Sequence, residues 1–454
     1  MIQLNPQQIP VADISGAATT TEGTLVIFDG SGSFDPDGSP ITFDWDFGDG
    51  TSSFIGPIVD HIYADNGAYT VSLTVHDGHG PSPAVEHHIA VANAPPSIIV
   101  RPDLTTNEGT VISIDPTTFN DPGSLDTHTA IIDWGDGSAP ATGAVSSSPS
   151  GPPGLLGGVD GSVSGNHAYG DEGTYTIEVT VKDDENATAS GTFVVTVENV
   201  TPTIEAGINR YVEEGELVVL DPAVFNDAGS LDIHVATIDW GDGSAVDSGT
   251  VSVTSVALPG LPGGVDGTVG GMHVYADNGS YTVEVEIDDL DGGVASDTFT
   301  VTVINAPPVV DAGPDTSIAE GSIFALPAVG FSDQGTADTH TATIDWGDGA
   351  IAVGTVNQSS FGPPGNAAGQ SGTVAGTHIY ADNGTYTVTV SVVDDDGGSH
   401  ADTLDVEVTN VNPTIVPSGG AEVVIFTPLN IDSAFSDPGF DCPTCGTALP
   451  PPPV

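Results

Sequence analysis

Apolar and polar residues alternate with a period of two along much of the chain. In Tyr69-Thr-Val71-Ser-Leu73-Thr-Val75 the Tyr, Val, Leu and Val fall on one face and small polar residues on the other. The runs from Tyr175 to Val181, Tyr281 to Ile287 and Tyr386 to Val392 repeat the pattern. Such alternation marks a strand with one face on a core and the other in water. A turn signal precedes each run: Asp65-Asn66-Gly67, Asp171-Glu172-Gly173, Asp277-Asn278-Gly279 and Asp382-Asn383-Gly384. Asn, Asp and Gly tolerate positive φ and suit tight turns. Further strands are expected at Phe193 to Val197, Phe299 to Val303 and Leu404 to Val408. Asn followed within three residues by Pro comes next, at 93–96, 199–202, 305–308 and 410–413. Pro ends a strand and stiffens the joint. No stretch of useful length places apolar residues at i, i+3, i+4 and i+7, so the predicted class is all-β.

These elements recur as a long repeat. The Trp residues stand at 45, 134, 240 and 346, with spacings of 134 − 45 = 89, then 106 and 106. Each sits in a similar string, Asp44-Trp45-Asp46-Phe47-Gly48-Asp49-Gly50 or Ile-Asp-Trp-Gly-Asp-Gly ending at Gly137, Gly243 and Gly349. His61-Ile-Tyr63, His167-Ala-Tyr169, His273-Val-Tyr275 and His378-Ile-Tyr380 follow. Copies 2 to 4 therefore carry an insertion of 106 − 89 = 17 residues or so. It is rich in Gly and Pro, with Leu155, Leu156, Leu258, Leu261 and Phe361 as apolar spots. Two readings stand for it: a mobile surface loop, or a contact with a neighbouring domain or chain. A period of this length suits one β-sandwich per repeat. The predicted domains are 1–93, 94–199, 200–305 and 306–411, with a partial fifth copy at 412–454.

Charge narrows the function. Three Lys and Arg face 63 Asp and Glu, a net charge of −60. Nucleic acid is excluded as a partner, because its phosphates need cationic side chains. No run of about 18 apolar residues exists, so no membrane span is predicted. The first ten residues show no leader pattern. Both Cys lie at the C-terminus, as Cys442-Pro-Thr-Cys445, and the second knuckle of a zinc ribbon is missing. Sequons occur at Asn186, Asn199, Asn278, Asn357 and Asn383.

Residues 45–50 and 63–77 resemble the PKD domain family, a seven-stranded immunoglobulin-like sandwich with the hallmark Trp-Asp-Phe-Gly-Asp-Gly and then Tyr-x-x-x-Gly-x-Tyr-Thr-Val-x-Leu-x-Val-x-Asp. The resemblance runs over about residues 9 to 411, with copies 2 to 4 as a divergent subtype. It implies tandem immunoglobulin-like sandwiches in an extended array, of the kind found in surface-layer proteins, adhesins, ectodomains and secreted hydrolases.

Carboxylates recur before the Trp strand, as Asp35 and Asp37, Asp121 and Asp126, Asp227 and Asp232, and Asp333 and Asp338, and again after the alternating strand; the junction Asn is the third recurring place. Oxygen-only ligand sets of this kind suit Ca²⁺, which takes six to eight. Some PKD domains hold calcium with a junction Asn and two loops. By that resemblance the expected ligands are Asn93, Asp121 and Asp183 in copy 2. Copy 3 has Asn199, Asp227 and Asp288, and copy 4 has Asn305, Asp333 and Asp394. Copy 1 has Asp35, Asp37 and Asp77. The bland alternative is that these residues only cap turns. The Trp residues are expected in cores. The lone recurring His is expected to be packed or hydrogen-bonded, because no second His stands at ligand spacing. No Gly-x-Ser-x-Gly or His-Glu-x-x-His occurs.

The expected function is a non-catalytic extracellular or cell-surface rod, structural or adhesive and calcium-stabilised, that builds a filament or surface layer. Self-association, other surface proteins or glycans are the expected partners. Residues 412–454 are expected to dock on copy 1 of the next subunit, through strand character at Thr414 to Val416, Glu422 to Phe426 and Leu429 to Ile431. The alternative is an accessory spacer or glycan-binding region of a larger secreted hydrolase.

Overall fold

The computed structural model describes residues 7–54, 56–150, 157–258, 260–360, 368–417 and 433–436. Among these the chain forms strands and turns and no helix. The apolar residues form four separate cores, one per repeat, spanning Ala12 to Val91, Ile112 to Val197, Ala206 to Val303 and Val310 to Val408. The alternating strands supply the centre of each core. In the third, Val283, Val285 and Ile287 are fully buried while Glu284 between them is exposed.

The first repeat is a sandwich of two sheets. One holds Ser15–Gly16, Leu25–Asp29 and Ile58–Ile62 in that order. The other runs Thr19–Thr21, Val85–Ala92, Gly67–His76, Thr42–Asp46 and Ser52–Ser53. Thr19–Thr21 lies parallel to Val85–Ala92, and every other pairing is antiparallel.

Repeats 2 to 4 differ in one respect. Their two layers join into a single eight-stranded sheet. In repeat 3 the strand Asp247–Val256 starts beside Val235–Asp239, with Asp247 to Gly249 paired there. It then crosses to the other layer, where Thr250 to Val256 pair with Val265–Gly270. That hairpin is the sequence insertion. The same hairpin is formed by Ala141–Pro149 with Val159–Ser164, and by Ile351–Ser360 with Gln370–Ala375. The insertion is thus mainly sheet, because its arms alternate and its Gly and Pro residues sit between them. Its tips at 151–156, 259 and 361–367, with Leu155, Leu156 and Phe361, lie outside the described residues.

The repeats align differently from the Trp spacing. The phenol of Tyr169 donates to the Trp134 carbonyl, that of Tyr275 to Trp240 and that of Tyr380 to Trp346. In the first repeat Tyr63 donates to Phe47 instead, 16 residues upstream against 35 in repeat 2. Phe47 is therefore the counterpart of the later Trp residues, and Trp45 takes the place of Ile132, two residues earlier on the same face. Both positions are buried, so either accepts an indole.

Of the fifth copy, Thr414–Pro417 pairs antiparallel with Ser433–Ser436, in the register that Val309–Asp311 makes with Val329–Asp333. This strand already has a partner in its own chain. Glu422 to Phe426, Leu429 to Ile431 and both Cys lie outside the described residues.

Candidate metal centres at the repeat junctions

Each junction collects carboxylates from both neighbours. At the first, repeat 1 contributes Glu22, which precedes Gly23 in the turn after Thr19–Thr21, and Asp65 from the Asp-Asn-Gly turn. Repeat 2 contributes Asp121, Asp126 and Asp183. The linker supplies Asn93. Oxygens of Glu22, Asp65 and Asp126 lie within 4.8 Å of one another, and so do those of Asp121, Asp126 and Asp183. The second junction gathers Glu108, Asp171 and Asp232 in the same way. At the third, the charges acting on Asp338 come from Glu214 and Asp277 upstream and from Asp333 and Asp394 downstream.

The local chain dictates these placements. One oxygen of Glu22 accepts from the Ala94 amide at 2.6 Å, which ties the end of repeat 1 to the linker. Glu108 and Glu214 do the same to Val200 and Ala306 at 2.7 Å. The Asn93 amide donates to Asp183 Oδ2 at 2.9 Å, Asn199 to Asp289 and Asn305 to Asp394, both at 3.0 Å. The other oxygen of Asp183 caps its own turn, accepting from Ala187. Asp121 accepts from Gly123, and His128 Nε2 lies 3.0 Å from its Oδ2. His234 and His340 stand in the same way to Asp227 and Asp333, at 2.8 Å.

The inserted hairpin shapes this end of repeats 2 to 4. Asp121 closes its strand against Val159, and Asp227 and Asp333 close against Val265 and Gln370. Gly158 turns at φ 63 beneath the Asp121 carbonyl, where a Cβ would overlap that oxygen. Gly264 and Gly369 meet the carbonyls of Asp227 and Asp333 likewise. The hairpin of repeat 3 also reaches back across the junction, with the Gly260 carbonyl accepting from Ala168 at 3.3 Å. Leu258 and Leu261 beside it are largely exposed, and the hydrogen bond across the junction is made by glycine backbone.

What remains after these bonds is a set of buried oxygens with no donor. Glu22 Oε2, Asn93 Oδ1 and both oxygens of Asp126 are buried and unpartnered. The second junction repeats this at Glu108, Asn199 and Asp232, and the third at Glu214, Asn305 and Asp338. Asp126 is 6% exposed and Glu22 1%. In the ion-free protein burial, helped by Glu22 and Asp121, pushes the Asp126 carboxyl up to about 8. Burial brings Glu22 to about 7 despite its bond from Ala94. Asp232 and Asp338 also rise to about 8, and Glu108 and Glu214 to about 7. Unpaired buried carboxylates are costly, and a bound cation or a proton relieves them. The donor set is all oxygen, so a hard cation such as Ca²⁺ fits.

The structure brings Asn93, Asp121, Asp183, Asn199, Asp227, Asn305, Asp333 and Asp394 to the junctions. In repeat 3 the residue bonded to the linker Asn is Asp289; Asp288 accepts from Leu290 in the adjoining turn. In repeat 1 Asp35 caps a turn at Asp37 and Ser39, Asp37 accepts from the distant Gln8, and one oxygen of Asp77 caps a turn at His79 and Gly80 while its Oδ2 is buried and receives no hydrogen bond. Sequence reasoning passed over Glu22, Glu108 and Glu214, whose signal is a Glu-Gly pair at the same place in each copy. The recurring His residues are structural: His167 lies 2.8 Å from Asp136 and stacks on Trp134 at 4.7 Å. That pair also explains the Asp of each Gly-Asp-Gly turn.

The family model for the PKD domain matches residues 7–91 and 305–409. The dyslexia-associated protein KIAA0319-like protein of Mus musculus is 28% identical over 233 residues, 49% of this chain and 19% of that protein. Collagenase ColQ1 of Bacillus cereus (strain Q1) is 35% identical over 83 residues, 18% of this chain and 8% of that protein. The chain thus spans about a fifth or less of the length of these relatives. Among solved structures, Drosophila N-cadherin EC1-4 covers 83% of this chain and 94% of its own, at 14% identity and a TM-score of 0.21.

Proposed function

We propose that this chain, matched by the PKD-domain model over its first and fourth repeats, serves as a non-catalytic, extracellular rod whose repeat junctions are stiffened by calcium. The proposed units are 1–93, 94–199, 200–305 and 306–411, with a fifth starting at 412. The reading rests on one observation: three equivalent junctions each bury donor-free carboxylate oxygens drawn from both neighbours. A cation there links two repeats and offsets the local negative charge. Asn93, Asp121, Asp183 and their counterparts bind or orient the ion, joined by Glu22, Asp65 and Asp126. A rod of this kind sets distance and angle between whatever its ends hold. Self-association into a filament or layer, or contact with other surface proteins or glycans, is the proposed use.

Small-angle scattering and thermal melting of the whole chain test this. Millimolar Ca²⁺ is expected to raise the melting temperature by mass action and lengthen the particle relative to EDTA. Identical melting curves and identical dimensions in the two conditions would end the proposal. A second reading, a spacer in a larger secreted hydrolase, is favoured by the match to the bacterial collagenase. The full reading frame decides it, since a hydrolase carries a catalytic domain beyond this segment.

A further inference from the structure

The two groups of oxygens at the first junction are not independent, because Asp126 belongs to both. One group joins it to Glu22 and Asp65 of the preceding repeat, the other to Asp121 and Asp183 of its own. Two ligands on opposite sides of one Ca²⁺ are separated by at most about 5 Å, given metal–oxygen distances of about 2.3–2.6 Å. Each group, with oxygens within 4.8 Å, is therefore the size of one ion's shell. We propose that each junction binds two cations bridged by a single carboxylate: Asp126 at the first, Asp232 at the second and Asp338 at the third. This rests on the calcium reading above and adds to it a number of ions and a shared ligand.

Asp126 suits the bridging role as its neighbours do not. Both oxygens of Asp121 already have partners, Gly123 and His128, as do both of Asp183, Ala187 and Asn93, and Glu22 spends one on Ala94. Both oxygens of Asp126 are buried and receive no hydrogen bond, and both oxygens of Asp232 and Asp338 share that state. An ionised carboxylate offers two oxygens and about four lone-pair sites, enough for two metals. The Asp126 carboxylate packs against Gly123, where a Cβ would strike it, so glycine at that position leaves it room. Gly229 and Gly335 abut Asp232 and Asp338 in the same way.

Charge points to the same count. Glu22, Asp65, Asp121, Asp126 and Asp183 are five carboxylates, −5 when ionised. One divalent ion leaves −5 + 2 = −3 in a largely buried site, whereas two leave −5 + 4 = −1. A third group, Asp126 with Asp184 and Glu185, is the same size, but Asp184 is exposed and already accepts from Thr127, while Glu185 is half-buried with one unpartnered oxygen. It is left out of the count.

Native mass spectrometry of the full chain in Ca²⁺ tests the bridge by difference, so ions bound elsewhere cancel. Asp126→Asn is expected to carry two calcium ions fewer than wild type, and Glu22→Gln one fewer. Asp232→Asn and Asp338→Asn must each also lose two, which guards against one variant failing through local misfolding. Loss of a single ion in all three Asp variants would overturn the bridge while leaving one calcium per junction. If none of the four substitutions changes the count, the calcium reading itself falls with it.

Discussion

The buried junction carboxyls make the metal-free chain sensitive to pH in an unusual direction. Asp126 ionises near 3.8 in an unfolded chain and near 8 in the folded one, and Glu22 moves from 4.5 to about 7. Both folded values lie above the unfolded ones, so between them the folded chain holds more protons. Stability is then fully present below about pH 4 and is lost as pH rises through about 7 to 8. At about 1.4 kcal/mol per unit, Asp126 alone accounts for roughly 5–6 kcal/mol and Glu22 for roughly 3. Part of both shifts is one repulsion between them, so the junction total is taken as roughly 5 kcal/mol. Groups shifted the other way act in a separate window. Burial opposes ionisation of Asp49, yet bonds from His61 and Thr51 hold it near 2, so its contribution fades only as pH falls below about 4. Calorimetry in EDTA between pH 5 and 9 should show the melting temperature falling by more than about 10 °C, since 1 kcal/mol moves a domain of this size by several degrees. In saturating Ca²⁺ the fall should disappear, because the ions then hold the carboxylates ionised. A melting temperature that stays level or rises across that range in EDTA would refute the argument.

Two further outcomes concern the scaffold around the junctions. Trp240→Ala empties a site where the indole is 1% exposed, bonds Asp247 at 2.9 Å and stacks on His273 at 5.0 Å. It should cost about 3–5 kcal/mol, with limited proteolysis cutting inside the third repeat and sparing the fourth. Gly158→Ala forces a side chain into a left-handed turn against the Asp121 carbonyl. The backbone conformation alone costs about 1–2 kcal/mol, and calcium affinity at the first junction should drop while the second and third keep theirs, read by titration calorimetry.

The repeat, the all-β class and the likeness to the PKD domain were legible in the chain because they are written in local pattern. Alternation, turn residues and recurring strings survive without any knowledge of what touches what. The junction Asn and the Asp residues beside the turns were legible for the same reason, since each recurs at a fixed place. What the chain did not disclose is contact across about 90 residues. Asn93 meets Asp183, and Glu22 meets Asp126, only once two separate sandwiches are stacked end to end. The insertion misled for a related cause: Gly and Pro signal a loop, but its arms find partners in both layers and become sheet. Phe47 and Trp134 share a role that residue identity concealed, because the Tyr hydroxyl reads a backbone carbonyl and not the side chain. Asp288 and Asp289 are neighbours that local pattern cannot rank. Strand geometry sends their side chains to opposite sides, and only the fold decides which one faces the linker.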